Sequence, residues 1–356
     1  MLRLRHESRW LNAISIEVAA ERIPAIEALP FVDHTQPVAR YERVETSLSA
    51  RPLESSPSLP PGTHTLDYGE SFDQLAQIRI PEVHDCGVSG AGVIVGMLDT
   101  GFRWQSHPAL SAIDVIAEYD FINDDPVTSN ESGDPSGQDS HGTQTLSVIG
   151  GFLPGQLVGG AFSASFLLAK TEDTSQEVPI EEDHWVAGIE WLEANGADVV
   201  SSSLGYTAWY DYSDMDGQTA VTTIAANTAW ENGVVVVNSM GNYGNFPGSI
   251  AAPADAFGVL SIGAVSLSGT LASFSSVGPT YDGRMKPDVV ALGVSDFVAT
   301  ASGGYGYSSG TSFSCPLIAS AAALILSAHP DWTPDQVRDA LHATADRADA
   351  PDNFYG

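Results

Sequence analysis

The stretch Tyr307–Pro316, YSSGTSFSCP, runs directly into an alanine-rich apolar segment, Leu317–Ala328. Its Ser-Gly-Thr-Ser sequence predicts a turn that leads into a helix, with Ser312 at the helix start. In the first turn of a helix the backbone N–H groups have no intrahelical partner, and the helix dipole favours negative charge there. Ser312 is therefore in a suitable position for a nucleophile.

A serine is a weak nucleophile at neutral pH, so it needs a histidine base and a group that orients the base. Val93–Phe102, VIVGMLDTGF, is an apolar strand of the buried type that ends in Asp99. Asp139–Thr143, DSHGT, places His141 at the head of a helical stretch. We predict that Ser312 is the nucleophile, His141 the general base and Asp99 the group that orients the base.

These three motifs together resemble a known family. Asp-Thr-Gly follows a strand, His-Gly-Thr opens a helix, and Gly-Thr-Ser followed by proline opens a second helix, in the order found in subtilisin-type serine proteases (subtilase family, peptidase S8). The resemblance covers the chain from about Tyr68 onward. It implies a serine endopeptidase that hydrolyses peptide bonds through an acyl-enzyme with an Asp-His-Ser triad.

The resemblance also suggests an oxyanion hole. A buried strand followed by Gly241-Asn242 resembles the segment that carries the family's oxyanion-hole asparagine. Asn238 and Asn245 are competitors by residue type, but Asn242 follows the glycine as the motif demands. The backbone N–H of Ser312 would supply the second donor to the oxyanion.

Substrate-binding residues are implied in the same way. Ser203-Leu204-Gly205 resembles the edge to which an extended peptide adds as a β-strand, held by main-chain hydrogen bonds. A glycine in this segment permits close approach of the substrate backbone. Ser239 and Gly241 would help to wall the P1 pocket, with room for a fairly large side chain.

The alternation of strands and helices indicates a three-layer, doubly wound α/β fold of subtilisin type with a mainly parallel sheet. The predicted strands are Val93–Leu98, Ser165–Thr171, Asp198–Ser203, Gly233–Asn238 and Val259–Val265. The predicted helices lie at about 141–150, 182–195 and 218–232. Two shorter signals add a helical segment at Ser71–Gln74 and a last helix capped by Thr333-Pro334-Asp335.

The N-terminal region (residues 1–45) is predicted to be a small, partial α+β unit. Trp10–Val18 alternates as a strand, Ala19–Leu29 has helical spacing, and Phe31–Tyr41 alternates again. This pattern resembles the second half of a subtilisin propeptide, which assists folding and then inhibits the active site. A small interaction module is the alternative. The front of the propeptide and the segment after Gly356 are expected to be missing from this chain.

A Ser/Pro-rich linker (46–66) is predicted to join this unit to a catalytic domain (67–356) and to be the site of autocleavage. Met1–Trp10 contains basic residues but no apolar run of signal-peptide type. The resemblance nevertheless leads us to expect a secreted protein, made as a zymogen.

The charge balance narrows the possible partners. Asp and Glu number 45 against 14 Lys and Arg, a net charge of −31 at pH 7. Such a chain is repelled by nucleic acid and by anionic membranes. No window reaches 18 unbroken apolar residues. We expect a monomer with an acidic surface that acts on polypeptides and carries its own propeptide as an intramolecular inhibitor.

Cysteines and metal ligands give weaker signals. Cys86 and Cys315 are too few for a disulfide framework, and Cys315 is expected to be a packed free thiol. Ala109 follows His107-Pro108 where many subtilisins have a calcium-binding aspartate, so we expect that calcium site to be absent. We predict no required cofactor and no metal ligand.

Two acidic groups leave alternatives open. The first leads up to His141 and offers oxygen ligands of the calcium type, although its spacing fits no EF-hand loop: Asp120, Asn123, Asp124, Asp125, Asp134 and Asp139. The second lies where the family binds the P2 to P4 residues of a substrate, and it is either a specificity element for basic residues or a solvated loop and helix start: Glu172, Asp173, Glu177, Glu181, Glu182 and Asp183.

Two other functions remain possible on sequence grounds. Sedolisin-type acid proteases share the fold and the Gly-Thr-Ser motif, but they use a glutamate where this chain has His141. A catalytically inactive binding or inhibitor-type protein is the second alternative, and it would have to follow from truncation, since the four expected catalytic groups are present.

Overall fold

The structure is a computed structural model that describes residues 2–36, 38, 64–175 and 180–356. A short N-terminal unit precedes a large α/β unit. In the N-terminal unit, β1 (Leu2–Ser8) pairs antiparallel with β2 (Ala13–Val18), and a 3₁₀ turn leads into the helix α1 (Ile23–Glu27).

The N-terminal unit differs in part from its prediction. The strand predicted for Trp10–Val18 begins only at Ala13, because Asn12 has a φ of 48° in the turn between the strands. The predicted helix is present as the 3₁₀ turn and α1. The predicted strand Phe31–Tyr41 is wrong over its described part, since residues 32–36 and 38 form no strand. Residues 37 and 39–41 lie outside the described residues.

Most of the predicted linker also lies outside the described residues, up to residue 63. At its described end, the Asp85 carboxylate accepts hydrogen bonds from the Thr65 backbone N–H and hydroxyl, both at 2.8 Å, and contacts His64 Nδ1 at 2.7 Å. His64 and Thr65 are thereby fixed to the large unit.

The large unit alternates strands and helices along the chain. Its elements are α2 (Phe72–Ala76), α3 (Ile80–Asp85), β3 (Ile94–Asp99), β4 (Asp114–Asp120), α4 (Ser140–Gly150), β5 (Phe152–Leu153), β6 (Leu157–Val158), β7 (Ser165–Lys170), α5 (Ile180–Ala194), β8 (Val199–Ser202), α6 (Val221–Glu231), β9 (Val235–Ser239), β10 (Leu260–Val265), β11 (Val289–Leu292), β12 (Asp296–Ala299), β13 (Tyr305–Ser308), α7 (Thr311–Ala328) and α8 (Pro334–Thr344).

Seven strands form one sheet in the order β11-β10-β9-β8-β3-β7-β4, and every neighbouring pair is parallel. Parallel strands bring their carboxyl ends to one edge of the sheet, where α/β proteins bind their ligands. Asp99, Ser203 and Ser239 all lie at or directly after the carboxyl ends of central strands. The topology therefore gathers the predicted site residues at one edge.

Helices cover both faces of the sheet. Side chains of α4 and α7, such as Leu146 and Leu317, share one hydrophobic core with Val95 and Val235 of the sheet. On the opposite face, α5 and α6 form a second core. The central strands are buried from both sides, as expected for a parallel sheet in a three-layer α/β fold.

One helix of the described part, α7, is long and apolar enough to cross a membrane by length and composition alone. In the structure 78% of that 18-residue stretch is buried inside the protein. Its apolar residues line the core beneath β8, β9 and β10. The helix that carries the proposed nucleophile in its first turn is thus a core helix.

The five predicted strands are confirmed as β3, β7, β8, β9 and β10, and the three predicted helices as α4, α5 and α6. The helical segment at Ser71–Gln74 is confirmed as α2, and Thr333 caps α8 in a reciprocal pair with Gln336. β4 and β11 were not predicted. Both lie at the edges of the sheet, and β4 is exposed or half-buried at every residue except its last, Asp120, rather than forming an apolar run.

Candidate active site

Asp99 and His141 lie in direct contact. Asp99 is the last residue of β3 and is fully buried, and its Oδ1 lies 2.7 Å from His141 Nδ1. The Thr100 backbone N–H also donates to Oδ1, at 2.7 Å. His141 is the second residue of α4. The start of this helix can pack closely against Asp99 and Gly101 because the next residue, Gly142, has no side chain. A side-chain carbon at residue 142 would lie 2.2 Å from the Gly101 carbonyl oxygen.

Ser312 occupies the first turn of α7, as predicted, and its side chain is largely buried. Its Oγ lies 3.4 Å from the Ser203 carbonyl oxygen, and the Ser203 hydroxyl donates to the Ser312 carbonyl at 2.8 Å. The next residue, Phe313, has its ring centroid 5.9 Å from that of His141. The start of α7 therefore packs against the predicted base and against the end of β8.

Asn242 lies beside the same helix start. Its Oδ1 accepts a hydrogen bond from the Thr311 backbone N–H at 2.9 Å and from the Thr311 hydroxyl at 3.1 Å. With Oδ1 occupied by two donors, the amide nitrogen Nδ2 is the group left to donate elsewhere. The competitor Asn238 is fully buried, and its amide donates to Leu204 and Ser239 carbonyls inside the protein.

The predicted substrate segments lie on either side of this helix start. Ser203 contacts Ser312 directly, while Leu204 and Ser239 are buried. Gly241 has a φ of 104°, and a side-chain carbon there would lie 2.9 Å from the Tyr243 ring. Gly205 approaches Ala251, since an added side-chain carbon would lie 3.1 Å from the Ala251 methyl group.

A cavity of about 200 Å³ opens between the segment after Gly205 and the loop after Asn242. Aromatic and aliphatic side chains dominate its lining, with Asp211 as the one carboxylate among them. The lining residues are Thr207, Tyr210, Asp211, Tyr212, Met215, Tyr243, Phe246, Gly248, Ser249 and Ile250. None of the predicted catalytic or substrate-binding residues is among those that line it.

Residues 90–356 match the subtilase family, Peptidase_S8. The chain belongs to the subtilase family. Subtilisin NAT from Bacillus subtilis subsp. natto is 35% identical over 283 residues, which cover 78% of this chain and 67% of that protein. An alkaline protease from Shouchella clausii is 28% identical over 355 residues, covering 100% of this chain and 79% of the relative.

A solved structure agrees with these sequence matches. The crystal structure of a cold adapted subtilisin-like serine proteinase superposes with a TM-score of 0.59 at 25% identity, covering 74% of this chain and 88% of that one. The chain is thus a subtilisin-type serine endopeptidase with the three-layer fold of its family, as the sequence predicted. The comparisons favour this interpretation over the sedolisin type.

Both cysteines of the subtilase are free, as expected. Cys315 is fully buried beneath the helix start, with its sulfur 3.4 Å from the Ser202 and Val237 carbonyl oxygens. Burial raises the pKa of its thiol to about 12. The thiol therefore stays protonated at neutral pH and is a packing group, as predicted.

The acidic group before His141 is organised around a lysine. Lys170, at the end of β7, is fully buried, and its ammonium contacts Asp120 and Asp134, each at 2.7 Å. The Asp120 carboxylate accepts further bonds from the backbone of residues 122 and 123. Asp139 pairs with Arg103 instead, at 2.7 Å.

Three carboxylates of this loop, Asp120, Asp125 and Glu131, place oxygens within 4.8 Å of one another, which is close enough to share a cation. The donors nevertheless fit calcium poorly, because both Asp120 oxygens already accept hydrogen bonds, one of them from the Lys170 ammonium. The buried Lys170 ammonium supplies positive charge beside these carboxylates.

The second acidic group is largely internal, so the interpretation as a solvated helix start is wrong for Glu181 and Glu182, which are 1% and 3% exposed. Glu182 accepts hydrogen bonds from Trp209 Nε1 at 2.6 Å and from the Tyr210 hydroxyl. Burial raises the pKa of Glu182 to about 7. Glu172 accepts from the Tyr206 hydroxyl, and Glu177 lies outside the described residues.

Sequence reasoning missed two threonines of the site. Thr311 orients Asn242, and Thr145 donates to the second oxygen of Asp99 at 2.9 Å. Thr311 stands inside the Gly-Thr-Ser motif, so its position was visible although its role was not. Thr145 is four residues after His141, which puts it on the same face of α4, and that spacing was the available signal.

Proposed function

We propose that Ser312 Oγ attacks the scissile carbonyl while His141 Nε2 takes its proton. The 2.7 Å contact between Asp99 Oδ1 and His141 Nδ1 is the observation that carries this assignment. It keeps the proton on Nδ1, so Nε2 is the basic nitrogen. The His141 imidazolium then protonates the leaving amine, and a water molecule hydrolyses the Ser312 acyl-enzyme by the same route.

The tetrahedral intermediate carries an oxyanion, which Asn242 Nδ2 and the Ser312 backbone N–H would stabilise. The two Thr311 bonds to Asn242 Oδ1 support this role, because they hold the amide in one orientation before substrate binds. The Ser312 N–H lies in the first turn of α7, where the helix leaves it without an intrahelical acceptor.

Ser203, Leu204 and Gly205 would pair with the extended substrate backbone as an added strand. Ser239 and Gly241 would wall the P1 pocket. We expect this pocket to have room for a fairly large P1 side chain.

The N-terminal unit (1–45) would be a partial propeptide that inhibits the catalytic domain (67–356), the two joined by the linker 46–66. The hydrogen bond from Ser15 to Asp183 at 2.5 Å supports this, as does that from the Arg9 N–H to Glu190 at 3.1 Å. The match to the alkaline protease also takes in this region. The similarity to subtilisins supports a secreted protein that acts on polypeptides, and the protein would act as a monomer.

No metal would be required for catalysis, since every proposed step uses a side chain or a backbone N–H of the chain itself. The net charge of −31 argues against nucleic acid and anionic membranes as partners. Positive charge from Lys170 would keep the acidic loop before His141 ordered without a bound ion.

The test is casein turnover by the full chain, compared with Ser312→Ala and Ser314→Ala. Ser314 is a matched control, because it lies in the same helix turn, is buried, and donates its hydroxyl to the Thr311 carbonyl at 3.0 Å. We expect Ser312→Ala to abolish turnover and Ser314→Ala to retain it. A folded parent chain without turnover would favour the inactive binding protein, and turnover by Ser312→Ala would overturn the assignment of the nucleophile.

A further inference from the structure

We propose that Thr145 is a positioning residue for the reaction, through a hydrogen bond that fixes the Asp99 carboxylate beneath His141. The inference rests on the proposed roles of Asp99 and His141. It adds a further group to the hydrogen-bond network of the triad.

The Asp99 carboxylate is bonded on both oxygens. Oδ1 contacts His141 Nδ1 and the Thr100 N–H, each at 2.7 Å. Oδ2 accepts from the Thr145 hydroxyl at 2.9 Å. Asp99 and Thr145 are both fully buried. Bonds on both oxygens prevent the carboxylate from rotating about its Cβ–Cγ bond, so the direction from Oδ1 to the imidazole is fixed.

The helix geometry makes this contact possible. His141 and Thr145 are four residues apart in α4, so they project from the same face of the helix. At Gly142 the helix touches the turn after β3, and an added side-chain carbon would lie 3.0 Å from the Asp99 Cβ. The close packing brings one turn of α4 against both carboxylate oxygens.

A helical threonine often donates its hydroxyl to the carbonyl three or four residues earlier, and Thr145 Oγ1 lies 3.1 Å from the Gly142 carbonyl oxygen. The hydroxyl has one proton for the two acceptors. The carboxylate is closer, at 2.9 Å, and it is charged, so it accepts the stronger hydrogen bond. The proton is therefore assigned to Asp99.

Removal of this donor has two consequences. Asp99 keeps its Oδ1 contact with the imidazole but is no longer held in one orientation, so kcat falls while KM, which reports substrate binding, changes little. The negative charge is also less dispersed, so it stabilises the His141 imidazolium more, and the acid limb of the activity profile moves to higher pH.

The experiment compares Thr145→Val, which keeps the shape and removes the hydroxyl, with Thr145→Ser, which keeps the hydroxyl. We expect Thr145→Val to lower kcat about 10-fold, equivalent to ~1.4 kcal/mol, and to raise the midpoint of the acid limb. Thr145→Ser is expected to restore most of kcat and the parent pH profile. Ser147→Ala, a buried hydroxyl of the same helix that accepts from the Ala299 N–H, controls for lost stability.

Two results would overturn the proposal. One is a Thr145→Val enzyme whose kcat and acid limb equal those of the parent. The other is a Thr145→Ser enzyme as impaired as Thr145→Val, since packing would then explain both.

A parent chain without turnover would refute the proposed function and leave this inference testable by NMR. The low-field resonance of the proton between His141 Nδ1 and Asp99 Oδ1 should shift in Thr145→Val and not in Ser147→Ala. An unchanged resonance in Thr145→Val would contradict the inference.

Discussion

The side-chain amide of Asn242 has its orientation set by Thr311, which uses both its N–H and its hydroxyl on Oδ1. If the Asn242 amide were reversed, its NH₂ group would face the two Thr311 donors, so the reversed orientation is unfavourable. The donor Nδ2 is therefore aimed before the oxyanion forms, and preorganised donors of this kind stabilise a transition state most.

Replacement of Asn242 by alanine is expected to lower kcat about 100- to 1000-fold, a magnitude that comes from a subtilisin, with little change in KM. The loss would be confined to kcat because the donor acts mainly once the oxyanion has formed. Steady-state kinetics on a peptide substrate measures both parameters.

The matched control for this variant is Asn245→Ala. The side-chain amide nitrogen of Asn245 donates hydrogen bonds to the Ala272 and Ser275 carbonyl oxygens. We expect its kcat to remain within a few-fold of the parent. Equal losses in the two variants would show that the loop as a whole, and not the Asn242 amide, matters.

At the residue scale, motif spacing was enough to propose Asp99, His141, Ser312 and Asn242 as site residues, because each follows a recognisable strand or opens a helix. It could not find Thr145, whose contact depends on how closely α4 packs against the end of β3. It also could not predict the burial of Glu182, which depends on Trp209 and Tyr210 from a distant segment.

Among the elements, β7 and the acidic loop depend on Lys170. Its ammonium has no solvent exposure and faces Asp120 and Asp134. Burial alone would raise the pKa of Asp134, but the hydrogen bond from Lys170, with those from the Glu131 backbone and Asn123, lowers it below its usual value. A buried charge pair is costly to break, because removal of one partner leaves the other charge buried and unpaired.

We expect Lys170→Met to lower the free energy of unfolding by about 3–5 kcal/mol, since it leaves two buried carboxylates without their cation. Urea denaturation at neutral pH measures the loss. Arg79→Met is the control, because it also removes one positive charge, but from a side chain that is 82% exposed. A loss no larger than in Arg79→Met would mean that Lys170 does not hold this loop.

The contact between the N-terminal hairpin and α5 contains two histidines. The rings of His6 and His184 pack edge to face, with centroids 4.9 Å apart. Burial is the main cause that lowers the pKa of His184 to about 3, and the neighbouring His6 adds to it. Burial also lowers the pKa of His6. Arg5 opposes protonation of both rings. Asp124 favours protonation of His6, and Asp173 favours protonation of His184.

The sign of the pH dependence follows from these shifts. Below pH 6.5 an undocked His184 binds a proton that the docked one excludes, so docking of the hairpin weakens as the pH falls from 6.5 toward 3. Hydrogen exchange of residues 2–18 in the Ser312→Ala background, corrected for intrinsic rates, measures this. We expect protection of the hairpin to fall with pH.

Asp183 also lies at this contact, and burial raises its pKa, so it contributes in the opposite direction. The comparison with His184→Gln isolates the histidine, and that variant should lose much of the pH dependence. His34→Gln, at a side chain 74% exposed, is the control. An identical pH dependence in all three proteins would contradict the role of His184.

At the element scale, the apolar runs of the central strands made β3, β7, β8, β9 and β10 predictable. The edge strand β4 was not predictable, since only its contact with β7 distinguishes it from a polar loop. The N-terminal strand β1 has the same character, because pairing with β2 is what makes it a strand.

For the whole molecule, the net charge of −31 is concentrated on the surface. The two lysines, Lys170 and Lys286, are both buried, so neither offsets the acidic side chains outside. Such an excess of like charge destabilises the compact state through self-repulsion, and salt screens it.

The melting temperature should therefore rise with salt. Between 0.01 and 0.5 M NaCl we expect an increase of at least about 2 °C, which corresponds to about 1.5 kcal/mol for a chain of this size. Scanning calorimetry of Ser312→Ala, which cannot digest itself, measures the change, and KCl distinguishes screening from a specific effect of sodium. A constant or falling melting temperature would show that self-repulsion does not limit stability.

The central claim is that Ser312 is activated by His141 and Asp99. Its most direct test is labelling of the folded full chain with a fluorophosphonate probe, with the adduct located by mass spectrometry. We predict a single adduct on Ser312, formed at least 100-fold more slowly in His141→Ala and absent in Ser312→Ala. A folded chain that remains unlabelled, or one that is labelled equally fast without His141, would contradict the account.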